Sequence, residues 1–327
     1  MTTELVLLGT AGAPMPVPGR RGISSALVVN GRVFVIDCGR GSPSAFAEAG
    51  LDFTRLEMVF LTHLHADHIG DLPGLILYPW GVRTGAGGPL APIRVYGPSR
   101  PAALPAGDAT FHRQTTICPD HPAPGTADLV RHLLAGYAYH LNVMPLDCHM
   151  PDAGALVRAF DIPTPADPRG PALVPTTVFD DADVRVLAVP VTHGRAVPAL
   201  AYRFDTADGS VVFSGDTTVD DNLIALAQGA DILVHQVADL AYLRRHGLND
   251  AEVARMAALH TDITQVGSVA QRAGAGELIL NHYLPPDPAA ISAEDWQRRA
   301  AVGFTGTTTP GHDGLRRTLP PPAGSDP

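Results

Sequence analysis

Hydrophobic residues in this chain come in short runs, each closed by a turn residue or by a side chain capable of chemistry. Residues 5–8 form the first run, which stops at Gly9-Thr10-Ala11-Gly12. Residues 25–29 and 33–36 are rich in Val and flank Asn30-Gly31. That dipeptide tolerates the positive φ values of a two-residue turn, so the pattern predicts a β-hairpin. A further run at 58–61 passes through Thr62 into a histidine-dense segment, and 70–78 reads as a short helix.

The texture changes between about 98 and 180. Pro and Gly are frequent there and strand-like runs are few; a helix is predicted over 127–141, with Thr126 as its N-cap. Asp outnumbers Arg in this stretch, which reads as an acidic, lid-like insertion. Beyond it, strand and helix patterns alternate again. Residues 184–191, 200–204, 211–213, 232–234 and 278–280 read as strands, and 221–228, 250–259, 265–273 and 293–301 as helices. The Gly- and Pro-rich end, about 304–327, reads as a loose tail. No internal repeat of fixed short period is present, which fits one large α/β domain over 1–327.

Composition narrows this picture. With 327 residues, 45% of them hydrophobic, the chain can bury a sizeable core and is not disordered in bulk. The formal charge is −10, and all 23 basic residues are Arg. An acidic chain lacks the positive field that recruits phosphate backbones, so nucleic acid is a disfavoured partner and a small substrate is expected. Three Cys, at 38, 118 and 148, are too few and too scattered for a disulfide framework or a Cys-based zinc site. Residues 1–10 lack the basic and apolar regions of a signal peptide, and no run approaches the roughly 20 apolar residues that span a bilayer. Cytoplasmic residence without membrane contact is the expectation.

The segment His63-Leu64-His65-Ala66-Asp67-His68 puts four metal-capable side chains within six residues. It leaves a strand end, where α/β enzymes commonly carry their chemistry. Imidazole and carboxylate suit zinc, and also iron or manganese. Four such groups on so short a segment divide more naturally between two ions than around one. Three later apolar runs end in the same manner, leading to His193, Asp216 and His282. Singly, each reads as a hydrogen-bonded strand end; together with the first they point to a common site.

Leu7-Leu8-Gly9-Thr10-Ala11-Gly12, Val35-Ile36-Asp37-Cys38-Gly39, the 63–68 cluster, His193, Ser214-Gly215-Asp216-Thr217 and His282 resemble the metallo-β-lactamase fold superfamily in identity and order, over roughly residues 4–285. The resemblance implies an α/β fold, an αββα sandwich of two mixed β-sheets with helices outside and metals at one edge. It implies that His63, His65 and His193 hold one ion, that Asp67, His68 and His282 hold another, and that Asp216 bridges them. The ions would be two Zn2+ per protomer, with Mn2+ or Fe as alternatives. Hydrolysis would proceed by attack of a hydroxide shared between the ions and oriented by Asp67. A homodimer belongs to the same expectation.

Within the superfamily, His260-Thr261-Asp262-Ile263-Thr264-Gln265 and Asn281-His282-Tyr283-Leu284-Pro285 resemble the branch containing tRNase Z and the zinc arylsulfatases. In tRNase Z a His at the place of His260 helps to protonate the leaving group, supported by an acid in the stretch matching 233–237. Here that position is Gln236. A neutral amide does not stabilise an imidazolium as a carboxylate does. The main expectation is therefore a dinuclear hydrolase of a small anionic ester, either a sulfate ester or a phosphodiester, with Asp67 and His260 as catalytic residues. The alternatives are a 3′ tRNA-processing endoribonuclease, a lactone or β-lactam hydrolase, and a non-catalytic metal-binding scaffold. Asp37 is expected to support the site from behind a ligand, Cys38 to be a small buried hydrophobe, and His235 to be buried and hydrogen-bonded. Arg20 or Arg21 is expected to meet an anion at a rim formed by Gly12 and residues 14–16. His112, His121, His140 and His149 read as solvated or lid residues.

Overall fold

Asn30 and Gly31, with φ of 51° and 78°, close a hairpin between the strands Ser24–Val29 and Arg32–Ile36. The computed structural model describes residues 2–82, 84, 85, 88, 89, 91–101, 104, 115–148, 150–165, 170 and 173–319. In it, the hairpin lies at the middle of the first of two seven-stranded sheets. Across that sheet the order is Arg316–Thr318, Thr3–Gly9, Ser24–Val29, Arg32–Ile36, Leu56–Phe60, Ile93–Pro98 and Val157–Ile162. Pairing is antiparallel as far as Arg32–Ile36 and parallel beyond it. The second sheet runs Thr307–Pro310, Glu277–Leu284, Ile232–Ala238, Gly209–Phe213, Ala196–Thr206, Val184–His193 and Thr176–Asp180. Its first four strands are parallel and the rest antiparallel.

Successive side chains of a strand point to opposite faces, and the buried residues sort accordingly. Phe34, Ile36 and Phe60 of the first sheet meet Tyr202, Phe204 and Phe213 of the second, forming the core between the sheets. The outward residues Val35, Val59 and Leu61 pack with Leu72, Leu75 and Trp80. On the other outer face, Leu233, Leu278 and Leu280 pack with Val266, Val269 and Trp296. Helix Ile263–Ala273 shows how such a layer is specified: Asp262 accepts from the Thr264 N–H at its start, Gly274 ends it with φ 62°, and Ile263, Val266, Val269, Ala270 and Ala273 form its buried stripe. The result is an α/β fold, an αββα sandwich of two mixed sheets, as expected.

Several elements differ from the sequence pattern, each for a physical reason. The strands expected at 232–234 and 278–280 continue to Ala238 and Leu284, because the backbone ladder runs on beneath His235, Gln236, Asn281 and His282, whose polar side chains interrupt the apolar run. The helix expected over 127–141 is two, Thr126–Gly136 and Ala138–Asp147, and Thr126 donates its hydroxyl to the Pro98 carbonyl rather than capping. The helix expected over 70–78 is present as Leu72–Leu77, with a separate short helix, Ala66–Ile69, before it. The stretch 98–180 is more than an insertion, since Val157–Ile162 and Thr176–Asp180 form an edge strand of each sheet. The end expected to be loose from 304 supplies the opposite edges: Thr307–Pro310 pairs with Glu277–Leu284, and Arg316–Thr318 with Thr3–Gly9. Composition hid these strands because edge positions carry little of the core's apolar pattern. Residues 320–327 lie outside the described residues. Among the described residues, no helix is long and apolar enough to cross a membrane.

Candidate metal centre

Strand Leu56–Phe60 delivers Thr62 and His63 to one edge of the sandwich, where the chain turns through His65 into the short helix Ala66–Ile69 carrying Asp67 and His68. The strands Val184–His193, Gly209–Phe213 and Glu277–Leu284 end at or carry past the same edge, bringing His193, Asp216 and His282. All seven side chains expected from the sequence therefore converge, in overlapping groups whose ligand atoms lie within 4.8 Å of one another.

Hydrogen bonds set which nitrogen of each ring faces the centre. The Asp37 carboxylate and the Leu259 carbonyl can only accept. Thus His68 donates from Nδ1 to Asp37 Oδ2 at 2.8 Å, and His193 donates from Nδ1 to the Leu259 carbonyl at 2.8 Å. The Thr62 hydroxyl donates to Asp37 Oδ2 at 2.8 Å, so it accepts from His63 Nδ1 at 3.1 Å. In each case Nε2 is left for the centre. Such partners behind a ligand fix both tautomer and ring direction. The Asp37 reading is sustained in this sense: its carboxylate sits behind His68 and also accepts from the Thr62 N–H at 2.8 Å.

The donor separations suit a cation better than direct hydrogen bonds. His65 Nδ1 lies 2.9 Å from His63 Nε2 and 3.3 Å from His193 Nε2. His282 Nε2 lies 3.3 Å from Asp67 Oδ2, and His68 Nε2 lies 3.8 Å from it. Asp216 Oδ2 lies 3.2 Å from His282 Nε2, 3.6 Å from His68 Nε2 and 3.8 Å from His193 Nε2. Donors held tetrahedrally at zinc distances are separated by about 3.4 Å. His68 Nε2 and Asp216 Oδ1 are buried without a hydrogen-bond partner among the described residues. The residues present therefore fit divalent ions.

The electrostatics agree. Burial keeps His63 and His193 well disposed to be neutral, lowering the pKa of each. Burial acts the same way on His68, but the carboxylates of Asp37 and Asp216 outweigh it and raise its pKa. Burial alone would raise the Asp216 pKa; the facing His282 and His68 hold it well below the carboxylate range instead. A pocket that draws a proton this strongly also draws a cation.

Backbone approach matters at His282. A Cβ on Gly12 would sit 2.7 Å from His282 Nδ1, so only glycine lets the ring take this position. Gly12, expected at a rim, is buried and packs behind the candidate ligand His282.

His260 belongs to the same site. It is buried, with Nδ1 3.8 Å from Asp216 Oδ2, and its ring stacks on His282 at 5.7 Å and meets His193 edge-on at 5.2 Å. Nδ1 lies 3.1 Å from Gln236 Oε1, and Gln236 Nε2 donates to the Thr217 carbonyl at 2.9 Å. The amide thus orients the ring without offering it charge, and burial lowers the His260 pKa to about 3.

Other sequence readings fall elsewhere. Arg20 lies 4.2 Å over the Tyr283 ring and donates to the Pro286 carbonyl, while Arg21 pairs with Glu48 at 2.6 Å, so both expected anion-binding cations are engaged within the fold. Cys38 is buried and burial raises its thiol pKa. His235 is fully buried, with Nδ1 donating to the Gln236 carbonyl at 2.6 Å. His121 contacts Arg100 at 3.3 Å and His140 packs on Trp80, both apart from the centre. His112 and His149 lie outside the described residues. The sequence reading missed Thr62 and the Leu259 carbonyl. Thr62 was open to notice, since it adjoins the first ligand; a backbone carbonyl has no residue-type signature.

Comparison with known proteins gives a family context. A profile described as the metallo-beta-lactamase superfamily matches residues 18–267. A ribonuclease Z of Mycobacterium sp. (strain KMS) is 33% identical over 306 residues, covering 92% of this chain and 90% of that protein. Another, from Mycobacterium avium (strain 104), is 32% identical over 313 residues, covering 95% and 96%. Human tRNase Z, short form, shares the fold with TM-score 0.63 at 20% identity, over 97% of this chain and 99% of that one. Zn2+-bound PqqB from Methylobacterium extorquens does so with TM-score 0.60 at 17% identity, over 96% and 99%.

Proposed function

Because the chain belongs to the metallo-β-lactamase superfamily of metal-dependent hydrolases, we propose that it is a phosphodiesterase of the ribonuclease Z type, cutting the 3′ side of transfer-RNA precursors. This reverses the order of the sequence expectations, in which a small anionic ester came first and nucleic acid was disfavoured. Net charge is a weak guide here, because it averages over the whole surface while substrate meets only the centre and its rim. The relatives named ribonuclease Z match over nine-tenths or more of their own length. The single observation that carries the proposal is His260, lodged beside Asp216 and between the His193 and His282 rings, where the leaving-group acid of that reaction is needed.

We assign His63, His65 and His193 to one ion, Asp67, His68 and His282 to a second, and Asp216 to both, with zinc as the favoured metal and manganese or iron as alternatives. When bound, such a pair supplies Lewis-acid charge for the phosphoryl oxygens and activates water near neutral pH. Asp67 orients the attacking water through its free acceptor positions. His260 delivers a proton to the departing ribose oxygen, with Gln236 holding its ring in place. With a neutral amide in place of a carboxylate and burial lowering its pKa, the His260 ring carries the proton in only a small fraction of molecules near neutral pH, which keeps a second reading in view. A sulfate ester or small phosphodiester with a good leaving group would need less of that proton.

Zinc-loaded protein assayed on a precursor tRNA, on p-nitrophenyl sulfate and on bis(p-nitrophenyl) phosphate separates the two. The proposal expects a single cut at the 3′ side of the tRNA body. Intact precursor alongside turnover of the sulfate ester would overturn it in favour of the small-ester reading.

A further inference from the structure

A cavity of about 410 Å3 opens directly beside the centre, with His63 and His65 in its wall. That volume lies within the range of small-molecule pockets, about 300–1,000 Å3. The rest of the wall is largely apolar and stiff, with prolines at 98, 101, 122, 124 and 198. Among the described residues that line it none is a carboxylate, in a chain whose formal charge is −10. Among those described lining residues the one fixed charge is Arg195, an exposed residue that forms no ion pair among the described residues.

One tight turn ties this cation to the metal centre. His193 pairs across the hairpin with Ala196, leaving only Gly194 and Arg195 in the loop. Gly194 has φ 52°, and a Cβ there would lie 2.3 Å from Leu259 Cδ2, so the turn requires glycine. The same backbone thereby sends the His193 ring inward and leaves Arg195 on the cavity side. The turn fixes the backbone of Arg195 relative to the ligand set and leaves its guanidinium free to meet a ligand in the cavity.

We propose that this cavity is a nucleotide subsite, taking the nucleoside next to the reacting phosphate against its proline wall, with Arg195 binding the following phosphate of the strand. The inference rests on the ribonuclease reading of the centre and deepens it. The two halves of the wall ask for two chemistries. Rigid apolar surface covers a flat, weakly hydrated base, and little order is lost on binding because prolines are already fixed. A forked guanidinium matches phosphate oxygens two at a time. A small monoanionic ester would use the first half and leave Arg195 without a role, whereas a nucleotide chain uses both.

The test is calorimetric titration of the zinc-loaded protein with inorganic phosphate, adenosine 5′-monophosphate and adenosine 3′,5′-bisphosphate. Affinity is expected to rise at each step. Arg195→Gln is expected to erase the gain of the bisphosphate over the monophosphate, about tenfold. Ala123→Trp, which fills the cavity from its wall, is expected to bring the monophosphate down to the level of phosphate. Equal affinities for phosphate and monophosphate in the unaltered protein would overturn the inference. So would an Arg195→Gln variant that weakens all three ligands alike, since that is a general charge effect. The parent reading fails separately: uncut precursor tRNA with graded nucleotide affinity rejects RNA processing and keeps the subsite, while cut tRNA with flat affinities rejects the subsite alone.

Discussion

The two halves of the centre offer the same number of side chains but in different surroundings. In the His63, His65 and His193 trio, the supports behind the rings are neutral: a Thr62 hydroxyl and the Leu259 carbonyl. His65 is exposed, and two of the three line the open cavity. In the Asp67, His68 and His282 trio, one ligand is itself a carboxylate, and a second, Asp37, stands behind His68 where both are nearly inaccessible. Asp216 lies within 4.8 Å of His63 and His193 of the first trio and of His68 of the second. Carboxylates beside the ligand rings bind a divalent ion more firmly than neutral supports do. We therefore propose that the half lining the cavity is the substrate-facing one and that the half with the carboxylates is the anchor.

The comparison breaks most completely at the shared residue. Asp216→Ala removes a carboxylate from both halves, and we expect turnover to fall to background with loss of bound metal, read by elemental quantification; retained activity would reject the bridging role. Next in size is His260→Ala, which leaves both ligand trios intact. Cleavage of RNA, with its poor leaving group, should slow by about 10²-fold, the lower end for a general acid, and p-nitrophenyl esters should slow much less. Equal losses on both substrates would contradict an acid role. Asp37→Asn separates the halves, because it keeps the shape behind His68 and removes its charge. Affinity for the second ion is expected to fall about 10–100-fold in chelator competition, with the first ion little changed. The smallest effect is expected from Gly12→Ala, where a methyl group pressed on His282 Nδ1 should weaken the same second ion to a lesser degree; a loss at the first ion instead would show that the two are not separable.

How much of this was legible in the sequence follows from what leaves a residue-type trace. The hairpin at Asn30-Gly31 and the apolar inner strands declare themselves, because turn chemistry and burial both constrain residue type. The seven candidate ligands declare themselves too, since each closes an apolar run with a group rare in that place. The continuation of two strands through His235 and Asn281 did not, because buried polar side chains satisfy local chemistry while the backbone continues its ladder. The edge strands Thr307–Pro310 and Arg316–Thr318 stayed hidden for a different reason: their pairing is non-local, with partners at Glu277–Leu284 and Thr3–Gly9. Arg20 and Arg21 looked free in sequence and are engaged, whereas Arg195 drew no notice and is the cation facing the cavity. Only the fold assigns partners to charges.

The inequality of the two halves is most directly tested by titrating zinc into metal-free protein, alongside His65→Ala and Asp37→Asn. Two binding events of distinct affinity are predicted, with His65→Ala removing the weaker and Asp37→Asn weakening the tighter. A single event, or a His65→Ala variant that loses the tighter ion, would contradict the account.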